Sequence, residues 1–310
     1  MRIRKLIFGI SPEETTFAQR GFQGAGGLRQ RLEEIGRTFV GGYHAGLEEN
    51  SLEGLILKLD SVSDEFRGFA YEGAAMALAL LDRVTPWRGN RWETFLAGPG
   101  EPHTYMLHVG LGWVFARLPM FDSTRRRIFN SLDPLLRWLA IDGYGFHEGF
   151  FHAMNRPRPS SSYTSRAFDQ GFGRSLWFSQ CGEPERISKM IVAFELHRQS
   201  DLWSGVGLAC GYAGELQEDG LQSLLRASGE FYPALAQGIA FAAKARQRAG
   251  NLMPFTELAC QTICGMSARE AAHLTDQALE NLPQSDPETP YEVWRCRIQE
   301  QFTRQEEMKR

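Results

Sequence analysis

No apolar run in this chain approaches the roughly 18 residues that a membrane helix needs, which excludes a span. Strand signals are almost as scarce. β-Branched runs are short, and Asp142-Gly143 and Asp219-Gly220 sit beside helical patterns rather than between alternating ones. Met1 to Phe8 is basic and then apolar, and the apolar run ends at Ser11-Pro12-Glu13-Glu14, too short for a secretory core and cleavage site. Charge of one sign is missing too: 34 Lys and Arg face 37 Asp and Glu over 310 residues, a formal net charge of −3. Without a basic stripe, nucleic acid is not an expected partner. The densest basic cluster, Arg125-Arg126-Arg127, reads as a solvated helix face, with a phosphate or headgroup contact as the alternative. Cysteine is sparse and odd in number, with five in all, and only Cys260 and Cys264 lie close together. They share one helix face, but no second Cys/His pair completes four ligands. Reduced, buried thiols in a cytoplasmic protein are expected.

What remains is helical periodicity almost throughout. Ser11-Pro12-Glu13-Glu14 has the N-cap, first-turn proline and acids of a helix start. Leu28 to Leu47 places Leu28, Leu32, Ile35, Phe39, Tyr43 and Leu47 on one stripe, and Leu52 to Leu59 repeats the pattern. Small residues recur inside the apolar helices: at Gly73, at the pairs Gly110/Gly112, Gly143/Gly145, Gly171/Gly173 and Gly205/Gly207, and at Gly238. Successive sites are roughly 28 to 37 residues apart, near the period of helix–turn–helix arrays. Glycine costs up to about 1 kcal/mol inside a helix, so its recurrence implies close helix crossings. Replacing Gly205 or Gly238 with Leu should overpack them at a cost of about 1–3 kcal/mol. The fold class expected is therefore all-α with negligible sheet: an array of antiparallel helix pairs, solenoid-like or an irregular bundle. One helical domain over 1–310 is expected, with a functional loop at 155–163 and a charged C-terminal helix over 290–310.

The densest polar-aromatic stretch runs from Asp142 to His152. His147 and Glu148, with Asp142 and Tyr144, are the candidate acid/base residues, since burial tunes such groups toward neutrality. The alternative is that they hydrogen-bond helix ends in an aromatic core. His147 and His152 are five apart, which turns the second about 140° from the first on a regular helix. The imidazoles should diverge unless a π-bulge realigns them, and no tightly held metal is expected; nor is a nucleotide, since no dinucleotide fingerprint or phosphate loop is present. Asp169 and Arg174 suit a buried ion pair beside Trp177, with anion binding by Arg174 as the alternative. Tyr71, Glu72, His108, Trp113 and Trp203 lie in or beside the glycine-bearing helices. With His152, Asp169, Arg174 and Trp177 they are candidate substrate contacts if those helices converge on one cavity; local capping is the plainer reading of Glu72 and His108.

Three stretches carry a resemblance: Phe66 to Met76, Asp142 to His152, and Asp201 to Cys210. They resemble a bacterial family of unknown function associated with enediyne biosynthesis gene clusters, and the likeness runs nearly from Ile10 to Phe302. The resemblance implies a setting in specialised metabolism and no particular reaction. The expected function is an enzyme acting by acid/base chemistry on a small apolar polyene or related hydrocarbon in a buried pocket. Two alternatives stand beside it: a helical scaffold or carrier for other pathway proteins, and an isoprenoid cyclase whose aromatic wall stabilises carbocations.

Overall fold

A computed structural model describes residues 2–118, 122–152, 162–283 and 289–309. The helices are, in chain order, α1 (Arg2–Phe8), α2 (Phe17–Arg20), α3 (Gly26–Glu48), α4 (Leu52–Asp60), α5 (Asp64–Val84), α6 (Arg91–Ala97), α7 (Thr104–Arg117), α8 (Asp122–Ser131) and α9 (Trp138–His152). There follow α10 (Ser162–Ser179), α11 (Pro184–Val192), α12 (Leu196–Ala213), α13 (Glu218–Ser228), α14 (Tyr232–Arg248), α15 (Pro254–Ala259), α16 (Ala268–Leu279) and α17 (Pro290–Lys309). No strand occurs among the described residues.

Two local expectations change. Ser11 does cap a helix, its Oγ accepting from the Glu13 amide, but the segment is a 3-10 turn over Pro12–Thr15. It ends because Thr16 is extended and caps α2 in its turn. Cys260 and Cys264 bracket a π-helical turn rather than an α-helical one, and both thiols are buried. Most of the expected loop at 155–163 lies outside the described residues.

The glycine-bearing helices pack directly on one another. α3 lies against α5, and the series continues through α7, α9, α10 and α12 to α14, with α16 and α17 packed on α14. The contacts advance in the same sense on both partners. Gly42 meets Ala70 and Gly46 meets Ala74; Gly145 meets Phe168 and Gly149 meets Phe172; Gly207 meets Leu235 and Gly211 meets Ile239. Neighbours in the series therefore run in the same direction. Between α3, α5 and α7 the chain returns through the short helices α4 and α6, which form the antiparallel strokes.

The glycine pairs have a simple geometric role. Positions i and i+2 of a helix point about 200° apart, on opposite flanks. Gly110 abuts the Glu72 carbonyl of α5, while Gly112 abuts the Ala140 carbonyl of α9. Gly143 and Gly145 do the same toward α7 and α10, Gly171 and Gly173 toward α9 and α12, and Gly205 and Gly207 toward α10 and α14. Without a Cβ, each helix lets two neighbours approach until backbone Cα–H groups face carbonyl oxygens.

The end of the series folds back onto its beginning. The Arg246 guanidinium donates to the Glu65 carbonyl at 2.9 Å, and the Asn251 amide donates to the Asp64 carbonyl at 2.7 Å. The Tyr212 ring meets Phe69 edge-on at 5.2 Å between centroids. α17 is fastened by buried charge. Arg295 Nη1 lies 2.8 Å from Asp201 Oδ1 and 2.8 Å from Glu292 Oε2, and Arg166 Nε lies 2.9 Å from Asp201 Oδ2. Each of these charges faces an opposite one; a lone buried charge would be costly.

Candidate functional site

A cavity lies inside the curled series, walled by α3, α5, α7, α9, α10, α12, α14 and α17. The space open to the centre of a water molecule is about 100 Å3, enough for several waters or a hydrocarbon of similar bulk. Its wall is aromatic. Phe39, Trp113, Phe146, Phe150, Phe151 and Phe178 form one contiguous group, with Trp113 4.3 Å from Phe39 and 5.6 Å from Phe146 between ring centroids. Phe241, Tyr291 and Trp294 form another. Tyr105, Leu208, Phe241 and Lys244 are half-buried, so the cavity reaches the surface between α7, α12 and α14.

The inward side chains follow from the glycine pairs. Position i+3 lies between the two glycine flanks, about 300° round from the first. It is Trp113 on α7, Phe146 on α9, Arg174 on α10, Leu208 on α12 and Phe241 on α14, and all five line the cavity. One turn further on, Phe150, Phe178, Tyr212 and Ala245 line it as well. Position i−1 faces the same side, and there the chain places Glu72, Asp142, Gln170, Ser204 and Gln237. Asp142 pairs with Arg174, the Gln170 amide donates to Asp201, Ser204 donates to Gln237, and Arg295 donates to Gln237.

Glu72 differs from the others in that row. It lines the cavity, is 4% exposed, and forms no ion pair among the described residues. Trp113 Nε1–H donates to its Oε1 at 3.2 Å. Burial raises its pKa from 4.5 to about 7, against the opposing pull of the Arg174 charge and the Trp113 hydrogen bond. Oε1 accepts from the indole, so in the neutral form Oε2 is the oxygen that carries the proton. Two other hydrogen-bonding groups on the wall are unsatisfied. The Tyr212 hydroxyl and Arg174 Nε are buried and have no hydrogen-bond partner among the described residues.

A carboxyl whose pKa rises on folding binds its proton more tightly in the folded state. Stability from that proton is complete below about pH 4.5 and is lost as pH climbs through about 7, some 3 kcal/mol in all. Wild type should therefore lose stability relative to Glu72→Gln between pH 4.5 and 7. Denaturant melts of both proteins across that window check the sign; parallel curves would mean that Glu72 titrates normally.

Of the residues expected from sequence, Glu72, Trp113 and Arg174 line the cavity. Asp142 sits just behind Arg174. The Asp169–Arg174 pair is replaced by two others: Arg198 Nη2 holds Asp169 at 2.8 Å, and Arg174 turns inward to Asp142. Position 169 lies two residues before Gly171 and so faces a different flank. Tyr71 donates to Asp60 at 2.8 Å, stacks on Phe95 and meets His103 at a tilt, away from the cavity. His108 bonds the Thr104 carbonyl at 2.8 Å, and Trp177 donates to the Gly214 carbonyl at 3.2 Å. Trp203 is buried in the packing of α12. Tyr144, at position i+1, lies on the opposite side of α9, edge-on to Phe168 and beneath Arg125. Tyr212 and Lys244 were not singled out by sequence. Tyr212 could have been, because it lies one turn beyond the inward position that follows Gly205 and Gly207.

His147, Glu148 and His152 stand behind the wall. The His147 ring meets Trp113 at 5.4 Å and Phe151 at 4.7 Å. The imidazoles do not diverge as the five-residue spacing implied; their centroids are 5.6 Å apart. Glu148 and His152 are four apart on one face, and the Glu148 carboxylate reaches back to His147 as well, at 3.1 Å.

Fold and cavity together define an all-helical protein built around an aromatic chamber with one carboxyl poised near neutrality. The chain belongs to a family of proteins of unknown function, DUF1702, whose description matches residues 1–302. Comparison with curated proteins and with solved structures finds no match. No described helix is long and apolar enough to cross a membrane.

Proposed function

We propose that this chain binds an elongated apolar polyene or related hydrocarbon in the cavity and rearranges it by acid–base chemistry, with Glu72 as the proton donor. The observation that carries the reading is a buried carboxyl, oriented by an indole N–H and with its pKa raised by burial to about 7, in the wall of a largely apolar, aromatic-rich chamber. Apolar walls with few convergent polar groups suit such a substrate. Glu72 Oε2 gives its proton to a carbon–carbon double bond, leaving a cation on the substrate. The faces of Trp113, Phe39 and Phe146 stabilise that cation, and Arg174 stabilises the carboxylate left behind. Loss of a proton from a neighbouring carbon back to Glu72 gives an isomer, cyclised or with shifted double bonds, and restores the acid. No electrons enter or leave. The unsatisfied Tyr212 hydroxyl and Arg174 Nε each suit a polar function on the substrate. The resemblance to a family associated with enediyne clusters supports a polyene as the substrate class.

Anaerobic incubation with a linear polyene, followed by mass and absorbance, tests the reaction. Conversion to a product of unchanged mass and altered chromophore is expected; an unchanged polyene that also fails to bind would end the proposal. Filling the chamber offers a second check. Ala209 is buried on the cavity wall. Ala209→Phe displaces a ring's worth of ligand contact, about 2 kcal/mol or roughly thirtyfold in affinity. Polyene titration monitored by tryptophan fluorescence reads it, and unchanged affinity would place the ligand elsewhere.

A further inference from the structure

Proton transfer by Glu72 makes no use of the last two turns of α9. There one donor atom each from His147, Glu148 and His152 come together, all within 4.8 Å of one another. Nδ1 of His147 is 3.1 Å from Glu148 Oε1, and Nδ1 of His152 is 3.4 Å from Glu148 Oε2. A divalent transition ion with bonds of about 2.1 Å holds adjacent donors about 3.0–3.4 Å apart, for octahedral and tetrahedral angles respectively. The two imidazoles thus approach the two oxygens of one carboxylate at separations of this size, as a carboxylate bound through both oxygens would require. A hydrogen bond joins His147 to Glu148, but His152 Nδ1, buried in the same group, makes none among the described residues.

We propose that His147, Glu148 and His152 form a binding site for one divalent transition-metal ion of the zinc or ferrous-iron class. Two imidazoles and one carboxylate are a donor set that leaves coordination positions open. The chemistry of the donors disfavours calcium and magnesium, which take oxygen ligands. Two of the ligands are buried, while the His152 side chain is 35% exposed and gives the ion a way in. The site lies one aromatic ring from the cavity: Phe151 lines the chamber and also faces His147. The metal site stands apart from the Glu72 chemistry, and either can fail without the other.

The test uses untagged, full-length protein stripped with chelator and titrated with Co2+, with Zn2+ as competitor and anaerobic Fe2+ as a second probe. One equivalent should bind, give a visible ligand-field spectrum and raise the thermal midpoint as free ion increases. His152→Asn lies at the helix end, half exposed, and should melt like wild type without ion yet lose the spectrum and the ion-dependent shift. His147→Asn should lose both as well. Absence of saturable binding to wild type would overturn the site, and so would binding that persists at wild-type affinity in both variants.

Discussion

Glu72→Gln is expected to lower polyene turnover by about 10²–10⁴-fold while leaving polyene affinity unchanged. Glutamine keeps the shape of the side chain, and its carbonyl oxygen can still accept the Trp113 indole N–H. What it cannot do is surrender a carboxylic proton. In wild type the rate should fall as pH rises through about 7, because the acid must be protonated to act; that limb should be absent from the residual activity of the variant. Steady-state product formation and equilibrium binding, measured side by side, separate the two effects. A carrier with no chemistry would show equal behaviour in both proteins, and turnover that survives the substitution would move the acid to another residue.

Gly205→Leu is expected to cost more than the sequence suggested, about 4 kcal/mol or more, and to prevent folding in a marginal background. A Cβ at Gly205 would stand 2.7 Å from the Arg174 backbone nitrogen and closer still to the Gln170 carbonyl oxygen. Both are backbone atoms of α10, so no rotamer change relieves the clash. The helices must separate, which breaks the crossing that sets Arg174 on the cavity wall. Gly238→Leu meets Ser204 and Leu208 backbone atoms in the same way. A contrasting control is Gly27→Ala, since nothing lies within 4 Å of a Cβ there. Chemical denaturation of the variants reads the difference. Wild-type midpoints for Gly205→Leu and Gly238→Leu would mean that the crossings are looser than described.

Those glycines explain how much was legible in advance. Period and composition suffice for helices without sheet, and the stripe from Leu32 to Leu47 lies buried in α3 where periodicity puts it. The recurrence of small residues by itself points to close crossings. The direction of neighbours was harder to read, because a repeat spacing does not say whether short connectors pack as partners or merely return the chain. The site was legible in part. Glu72, Trp113 and Arg174 stood out as polar or aromatic residues beside glycines, and they line the cavity. Asp169, Tyr144 and Tyr71 stood out on the same grounds, yet their positions relative to the glycine pairs turn them to other faces. The rule that separates the two sets, inward at i−1 and i+3, needs the glycine flanks to be known first. Buried pairs such as Arg295 with Asp201 join residues far apart in the chain, and no local pattern announces them. The approach of the His147 and His152 rings escapes the sequence pattern for a different reason. A 140° turn describes Cα positions, while imidazole and carboxylate side chains are long enough to gather around a shared point.

The most direct test of a ligand-bearing chamber is a crystal structure of the protein grown with a linear polyene at saturating concentration. Continuous elongated density should lie between Phe39, Trp113 and Phe178, with one carbon in contact with Glu72 Oε2. A chamber holding only water under those conditions, with the polyene absent or bound at the surface, would contradict it.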